Sequence, residues 1–129
     1  MRNKFLGTGE SGYRPLRKIH VVLNGIRFGV LLEISVAYKL LLSALILVLS
    51  FYFHDWIDVM VILVVTAQVL AAELFNTAIE AVCDFMETAR NEKIRVIKDI
   101  SAAAAGISIV AWAMVIAYEY YKLVMKLIN

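Results

Sequence analysis

Apolar residues recur along the chain with the spacing of helices, first in an amphipathic segment over residues 13–34. One face of that segment carries apolar side chains at alternating spacings of three and four residues: Leu16, Ile19, Leu23, Ile26 and Val30. The adjacent face carries polar and basic side chains: Arg17, His20, Asn24 and Arg27. Helices with one apolar and one basic face lie in the headgroup region of a membrane. The pattern therefore predicts a surface helix over residues 13–34.

Three long apolar segments follow, at about residues 36–53, 57–84 and 100–118. A helix needs about 20 mostly apolar residues to cross a bilayer, so each segment is long enough. The predicted fold class is an all-α integral membrane protein, with the surface helix and three transmembrane helices in one domain over residues 13–129. Lys39, near the start of the first span, is expected to extend its ammonium group to the membrane surface. Residues 1–12, 85–98 and 119–129 are expected to form a disordered N-terminus, a polar loop and an aqueous tail.

The composition supports a membrane protein and excludes several other classes. Hydrophobic residues make up 62% of the 129 positions, against about 45–50% in soluble domains. The net charge of +2 gives no argument for nucleic-acid binding. Cys83 is the only cysteine, which excludes a disulfide within the chain and a cysteine-rich metal site. Lysine and arginine are concentrated in the N-terminal segment and in residues 85–98, so both segments are predicted to be cytoplasmic.

A row of polar residues interrupts the second apolar segment. On a helix with about 100° between residues, these four side chains lie within an arc of about 80°: Glu73, Asn76, Glu80 and Asp84. We call this row the polar stripe. A carboxylate near the bilayer centre costs about 2.5–3.5 kcal/mol, and three neighbouring acids also repel one another. A divalent cation would relieve the repulsion, and magnesium usually shares its ligand shell with substrate phosphates. The stripe therefore suggests a metal-nucleotide site, although polar contacts between helices would explain its outermost acid equally well.

Two further features near the membrane surface are compatible with such a site. Lys98-Asp99 stands where the chain is expected to re-enter the membrane. The lysine can neutralise phosphate charge, and the aspartate can cap a helix or join the site. An ordinary interfacial anchor with a cap is the alternative. Glu33, at the end of the basic helix, fits a surface role as well as a functional one.

The segment from Glu73 to Asp84, followed by Lys98-Asp99 and a helix of small residues, resembles the bacterial diacylglycerol kinase/undecaprenol kinase family of membrane proteins. The shared motif is E-x-x-N-[ST]-A-I-E-x-x-x-D, and the resemblance extends from about Gly25 to Tyr118. It implies a homotrimer in the bacterial cytoplasmic membrane, and transfer of the γ-phosphoryl group of magnesium-ATP to a lipid alcohol.

The resemblance also implies roles for individual residues of this chain. It implies a catalytic role for Glu73, Asn76, Lys98 and Asp99, with Glu73 as the base that accepts the proton of the lipid hydroxyl. Magnesium would be bound by Glu33 and Glu80. The nucleotide would be held by the same two acids together with Asp84, Lys98 and Asp99.

The chain departs from the family on both sides of the segment from Gly25 to Glu33. An aromatic-basic pair is replaced by Ile34-Ser-Val-Ala-Tyr38-Lys39, and small and aromatic residues are replaced by Val21-Val-Leu23. These departures concern the choice of lipid more than the chemistry, and diacylglycerol is favoured over undecaprenol as the acceptor. The alternative hypothesis is a non-enzymatic, ion- or proton-coupled transporter subunit. Such a protein would place its acids near the midplane of the membrane, with access from both sides.

Overall fold

Four helices make up most of the chain in the computed structural model, which describes residues 15–53, 56–87, 89 and 91–128. They are α1 (Pro15–Leu32), α2 (Ile34–Tyr52), α3 (Trp56–Met86) and α4 (Glu92–Ile128). Within the described residues there is no strand, and α2, α3 and α4 are each long and apolar enough to cross a membrane. The predicted fold class, an all-α protein with three helices able to cross a membrane, is therefore confirmed. The predicted disorder of residues 1–12 lies outside the described residues.

Side-chain contacts define how the three long helices pack. Lys39 of α2 is bonded to Glu73 of α3, and Lys122 of α4 is bonded to Asp58 of α3. The start of α3 follows the end of α2 after a short connection, and Asp58 near that start contacts Lys122 near the end of α4. Helix α3 therefore runs antiparallel to both neighbours. Trp112 of α4 donates a 2.8 Å hydrogen bond from its indole Nε1 to the hydroxyl of Ser43 in α2, which joins the two parallel helices. We name the ends of the bundle after the connections there, the α2–α3 end and the α3–α4 end.

A narrow core runs between these three helices and leaves wide apolar faces outside. The buried cluster contains Ile46, Ile62, Val69, Trp112, Ile116 and Leu123. Leucine, valine and isoleucine side chains on the outer faces are exposed, with Leu41 at 75% and Ile107 at 74% of full exposure. A bundle whose outside is apolar matches a lipid environment, where burial from water does not require burial inside the protein. Cys83 is buried and free, as expected for a small packed residue.

Helix α1 touches the bundle over a small area near its C-terminus. Gly29 is buried there, and a Cβ atom added to it would overlap the side chain of Leu74 in α3. Glycine therefore permits the close approach of α1 to α3. The apolar side chains predicted for the membrane-facing side of α1 are exposed on the isolated chain, as shown by Leu16 at 80% and Ile19 at 56%.

The predicted polar loop over residues 85–98 is wrong, because α4 already begins at Glu92. Asn91 caps this helix, accepting a 3.0 Å hydrogen bond on its side-chain oxygen from the backbone N–H of Lys93. The guanidinium group of Arg95 then bonds Glu92 one turn earlier in the helix. These local bonds stabilise a polar helical turn that a search for apolar spans interprets as a loop.

The predicted aqueous tail over residues 119–129 is also wrong, because α4 continues to Ile128. Ile116, Glu119 and Leu123 continue the buried face of α4 at helical spacing. Glu119 is only 4% exposed and lies 3.6 Å from the ammonium group of Lys122, which is bonded to Asp58. We call Asp58, Glu119 and Lys122 the closed cluster. Because these charges pair with one another, charged residues can lie on the packed face of α4 beyond its apolar segment.

Candidate active site

The polar stripe follows α3 towards the α3–α4 end, and its side chains become steadily more exposed in that direction. Glu73 is 8% exposed, Asn76 and Glu80 are half-buried, and Asp84 is exposed. The distance along the helix from Glu73 to Asp84 is about 16 Å at a rise of 1.5 Å per residue. The stripe therefore connects a buried carboxylate inside the bundle with a solvated one at its end.

Glu73, the deepest acid, is bonded through Oε1 to the ammonium group of Lys39 in α2. Lys39 is 1% exposed, so its predicted extension to the membrane surface is wrong. The reason is electrostatic, because an ammonium group inside the bundle needs a compensating charge, and the carboxylate of Glu73 provides it. Within the described residues Lys39 is the only donor to this carboxylate, so the other oxygen, Oε2, is left without a protein partner.

A chain of hydrogen bonds fixes the middle of the stripe to α4. Asn76 donates from Nδ2 to Oε1 of Glu80 at 3.0 Å, and its Oδ1 accepts a 2.7 Å hydrogen bond from the hydroxyl of Ser101. The same hydroxyl lies 2.9 Å from the carbonyl oxygen of Lys98. Asn76 is thereby held from both sides, and its amide orients the carboxylate of Glu80.

Lys98 closes the outer part of the stripe. Its ammonium group is bonded to Asp84, and it is near enough to Glu80 for an electrostatic interaction. The Lys98 side chain is 34% exposed. A lysine that is both fixed by an acid and open to solvent is placed to meet an incoming anion.

Asp99 does not join this group within the chain. Its side chain is 63% exposed and lies 3.4 Å from the guanidinium group of Arg95 on the same helix. Nor does it cap α4, because the helix begins two turns earlier and is capped by Asn91. The structure thus brings Lys98 to the stripe but places its neighbour on another face of α4.

Glu33 stands at the break between α1 and α2, where its φ of −114° and ψ of 103° are extended rather than helical. Its side chain makes no capping hydrogen bond. Glu33 lies six residues before Lys39, or about 9 Å along the helix axis. Glu80 lies seven residues beyond Glu73 on the antiparallel helix, or about 10 Å. Since Lys39 and Glu73 are in contact, the two predicted metal ligands share one level of the bundle.

The part of the chain that the structure describes contains no group of three acidic, histidine or cysteine side chains able to enclose a metal ion. Magnesium does not need such a cage, because it commonly takes one or two carboxylates and completes its shell with water and phosphate. Glu73 and Asp84 are each bonded to a lysine, whereas Glu80 is bonded to the neutral amide of Asn76 and, among the described residues, interacts with Lys98 only at a longer distance. Glu80 is therefore the stripe carboxylate with charge left to neutralise, which fits a metal.

Two contributors to the site were missed in the sequence. Ser101 stands at the start of the small-residue helix, and its spacing of three from Lys98 was the available signal. Lys39 was considered only as a surface lysine, although a cation inside an apolar span suggests a buried acidic partner. Neither residue belongs to the recognisable motif.

Comparison with known proteins identifies the family. A model of the prokaryotic diacylglycerol kinase family matches residues 20–120, a stretch that includes the whole polar stripe, Glu33 and Lys98-Asp99. Searches of curated proteins and of solved structures gave no match. Because the family model covers well over half of the 129 residues, the chain belongs to the prokaryotic diacylglycerol kinase family and is a lipid kinase.

Proposed function

We propose that this chain transfers the γ-phosphoryl group of magnesium-ATP to the hydroxyl of a lipid alcohol, diacylglycerol in preference to undecaprenol. The observation that carries the proposal is the gradient along the polar stripe, from buried Glu73 to exposed Asp84 with Lys98 beside it. A lipid hydroxyl reaches such a site from within the membrane, and a soluble nucleotide reaches it from the end of the bundle. The stripe is open at one end only, which favours a kinase over a transporter subunit.

Glu73 is the proposed base. Its Oε2 accepts the proton of the lipid hydroxyl, while the hydroxyl oxygen forms a bond to the γ-phosphorus and the bond to the β-phosphate oxygen breaks. The products are a phosphorylated lipid and ADP. Phosphoryl transfer depends mainly on positioning and on neutralising negative charge, so a protein can catalyse it without a covalent intermediate.

The remaining residues of the site hold the nucleotide and its metal. Glu80 and Glu33 would bind magnesium, which when bound neutralises charge on the nucleotide phosphates. Lys98 would bind a phosphate oxygen, with Asp84 fixing its ammonium group. Asn76 orients Glu80. Asp99 lies on another face of α4, so it would bind a part of the nucleotide that extends beyond the stripe.

An apolar groove beside the stripe supports a lipid acceptor. The groove has a volume of about 320 Å³ and lies between α1 and α3, where it is lined by Gly25, Phe28, Gly29, Leu74, Thr77, Ala78 and Ala81. An acyl chain lying in this groove would bring a headgroup hydroxyl towards the α3 surface that carries Glu73. The α1 residues of the groove lie in the segment from Gly25 to Glu33, between the two stretches where the chain departs from the family.

The resemblance further implies a homotrimer in the bacterial cytoplasmic membrane, and the distribution of lysine and arginine predicts that the α3–α4 end lies in the cytoplasm. Both remain predictions. Lysine and arginine residues cluster at that end, in α1 and around the α3–α4 connection, which supports the orientation.

The test is a phosphoryl-transfer assay with purified protein in mixed micelles, using labelled ATP, magnesium and a panel of lipid alcohols. We expect labelled diacylglycerol phosphate as the main product, less product from undecaprenol, and none when a chelator removes the divalent metal. If no lipid alcohol is labelled, the proposed function is wrong. If undecaprenol is the better acceptor, only the preference is wrong.

A further inference from the structure

Lys39 is a buried cation for which the proposed reaction gives no role. It is 1% exposed, and its ammonium group is bonded to Glu73 and lies 5.0 Å from the centre of the Tyr38 ring. Removing an ammonium group from water costs several kcal/mol unless a partner compensates for its charge. Lys39 and Glu73 therefore compensate each other, and each explains why the other can stay charged in an apolar bundle.

We infer that Lys39 is a positioning residue that holds Glu73 as a carboxylate inside the membrane and directs its second oxygen to the acceptor hydroxyl. This inference rests on the proposed function, because it assigns Glu73 the task of accepting a proton. A carboxyl group buried without a cation takes up a proton in preference to remaining charged. A protonated Glu73 could not act as the base. The ammonium group of Lys39 removes that tendency and, by occupying Oε1, leaves Oε2 for the substrate.

The two lysines of the site differ in a way that separates their tasks. Lys98 has a side chain that is 34% exposed and is bonded to an exposed acid. Lys39 is closed off from solvent and is bonded to the deepest acid. Only the first can meet a nucleotide phosphate. The second can act on the reaction only through Glu73.

Other charged groups on the surrounding helices are already engaged or lie further out. On α3, Glu80 accepts from Asn76, and Asp84 is bonded to Lys98 of α4. On α4, Asp99 pairs with Arg95. Glu33 lies at the start of α2, about 9 Å along the helix from Lys39. Among the described residues, Lys39 is therefore the charged group that bonds Glu73, and the stripe acids lie to one side of this pair.

The experiment compares Lys39→Met, Lys39→Arg and the double variant Lys39→Met/Glu73→Gln with the unmodified protein. We expect Lys39→Met to lower kcat about tenfold or more at neutral pH, because the rate falls with the ionised fraction of the base. The KM for ATP should be unchanged. The lost rate should return as the pH is raised, since alkaline solution removes the proton from Glu73. Lys39→Arg keeps the cation and should keep the original pH profile.

Infrared spectroscopy gives a second readout that does not depend on turnover. The unmodified protein at neutral pH should show no carbonyl stretch from a protonated Glu73, when Glu73→Gln is used as the reference. Lys39→Met should show this band, and the double variant should lack it. Lys39→Met with an unchanged pH profile and no band would reduce Lys39 to a bridge between α2 and α3.

The design separates failure of this inference from failure of the proposed function. If Lys39→Met does not fold, a protonated Glu73 band in the unmodified protein would still overturn the inference, and its absence would support it. If the protein phosphorylates no lipid alcohol, the proposed function fails. The infrared comparison then decides independently whether Lys39 controls the charge of Glu73.

Discussion

The two ends of the bundle both contain acids and lysines, but the groups are arranged differently. At the α2–α3 end, the closed cluster has one lysine between two acids, and the side chains of Asp58 and Glu119 are 16% and 5% exposed. At the α3–α4 end, the acids form a row that becomes more exposed towards the end of the bundle. One arrangement joins two helices, whereas the other opens a path from the interior to solvent.

The difference shows what makes charged residues in a membrane helix a functional candidate. Charge alone does not, because the closed cluster is also charged and its groups pair with one another between α3 and α4. Among the described residues, the polar stripe differs in having a carboxylate that is bonded to no cation, Glu80, and a buried carboxylate with one unbonded oxygen, Glu73. The proposed function places a metal and a hydroxyl at these incomplete interactions.

The largest expected effect comes from removing a buried carboxylate from the polar stripe, compared with removing one from the closed cluster. Glu73→Gln removes the proposed base and should lower kcat for lipid phosphorylation by about 10²–10⁴-fold. Glu119→Gln also removes a buried carboxylate that contacts a lysine, but it lies outside the site. Both variants should lose thermal stability, measured by unfolding in micelles. Only Glu73→Gln should lose turnover per folded molecule.

The result of this pair is decisive in either direction. Equal losses of turnover in the two variants would mean that buried charge affects activity through the fold alone. Full turnover in Glu73→Gln would remove Glu73 from the mechanism, whatever happened to stability.

A second pair tests the metal. Glu80→Gln should weaken binding of magnesium-ATP by roughly 10- to 100-fold or more, because losing a residue that only supports a metal ligand already costs that much. Asp58→Asn, on the same helix at the opposite end, is the control and should leave this affinity unchanged. Binding can be followed by calorimetry across a magnesium titration. An unchanged affinity in Glu80→Gln would exclude it as a ligand.

The same comparison shows how much the sequence could predict. Helix number, the three spans and the polar stripe depend on apolar periodicity and on spacing within one helix, so local sequence predicts them. The lysine partners of Glu73 and Asp58 lie on other helices, 34 and 64 residues away, and no local pattern indicates such pairs. The ends of α4 were missed because its polar turns are stabilised by a cap and by pairs between helices, neither of which raises hydropathy.

A smaller effect concerns the closed cluster itself. Lys122→Met removes the ammonium group that bonds Asp58 and lies near Glu119. Loss of a fully buried pair costs about 3–5 kcal/mol, and because Lys122 is about a third exposed we expect about 1–2 kcal/mol. Reversible unfolding in mixed micelles would measure the loss. Lipid phosphorylation by the folded fraction should not change, and a tenfold fall in kcat would show that this end also acts on the site.

The smallest expected effect comes from removing one hydrogen bond that holds the middle of the polar stripe. Ser101→Ala removes the hydroxyl that donates to Asn76, so the amide that orients Glu80 loses one of its two restraints. A hydrogen bond of this kind is worth about 0.5–1.5 kcal/mol, which corresponds to a rise of about two- to tenfold in the KM for ATP. Ser108→Ala, two turns further along α4, is the matched control and should leave KM unchanged. Because Glu73 and Lys39 remain in place, kcat should stay near its original value. A fall in kcat without a change in KM would instead place Ser101 in the chemical step, and would extend the reacting part of the site from α3 onto α4.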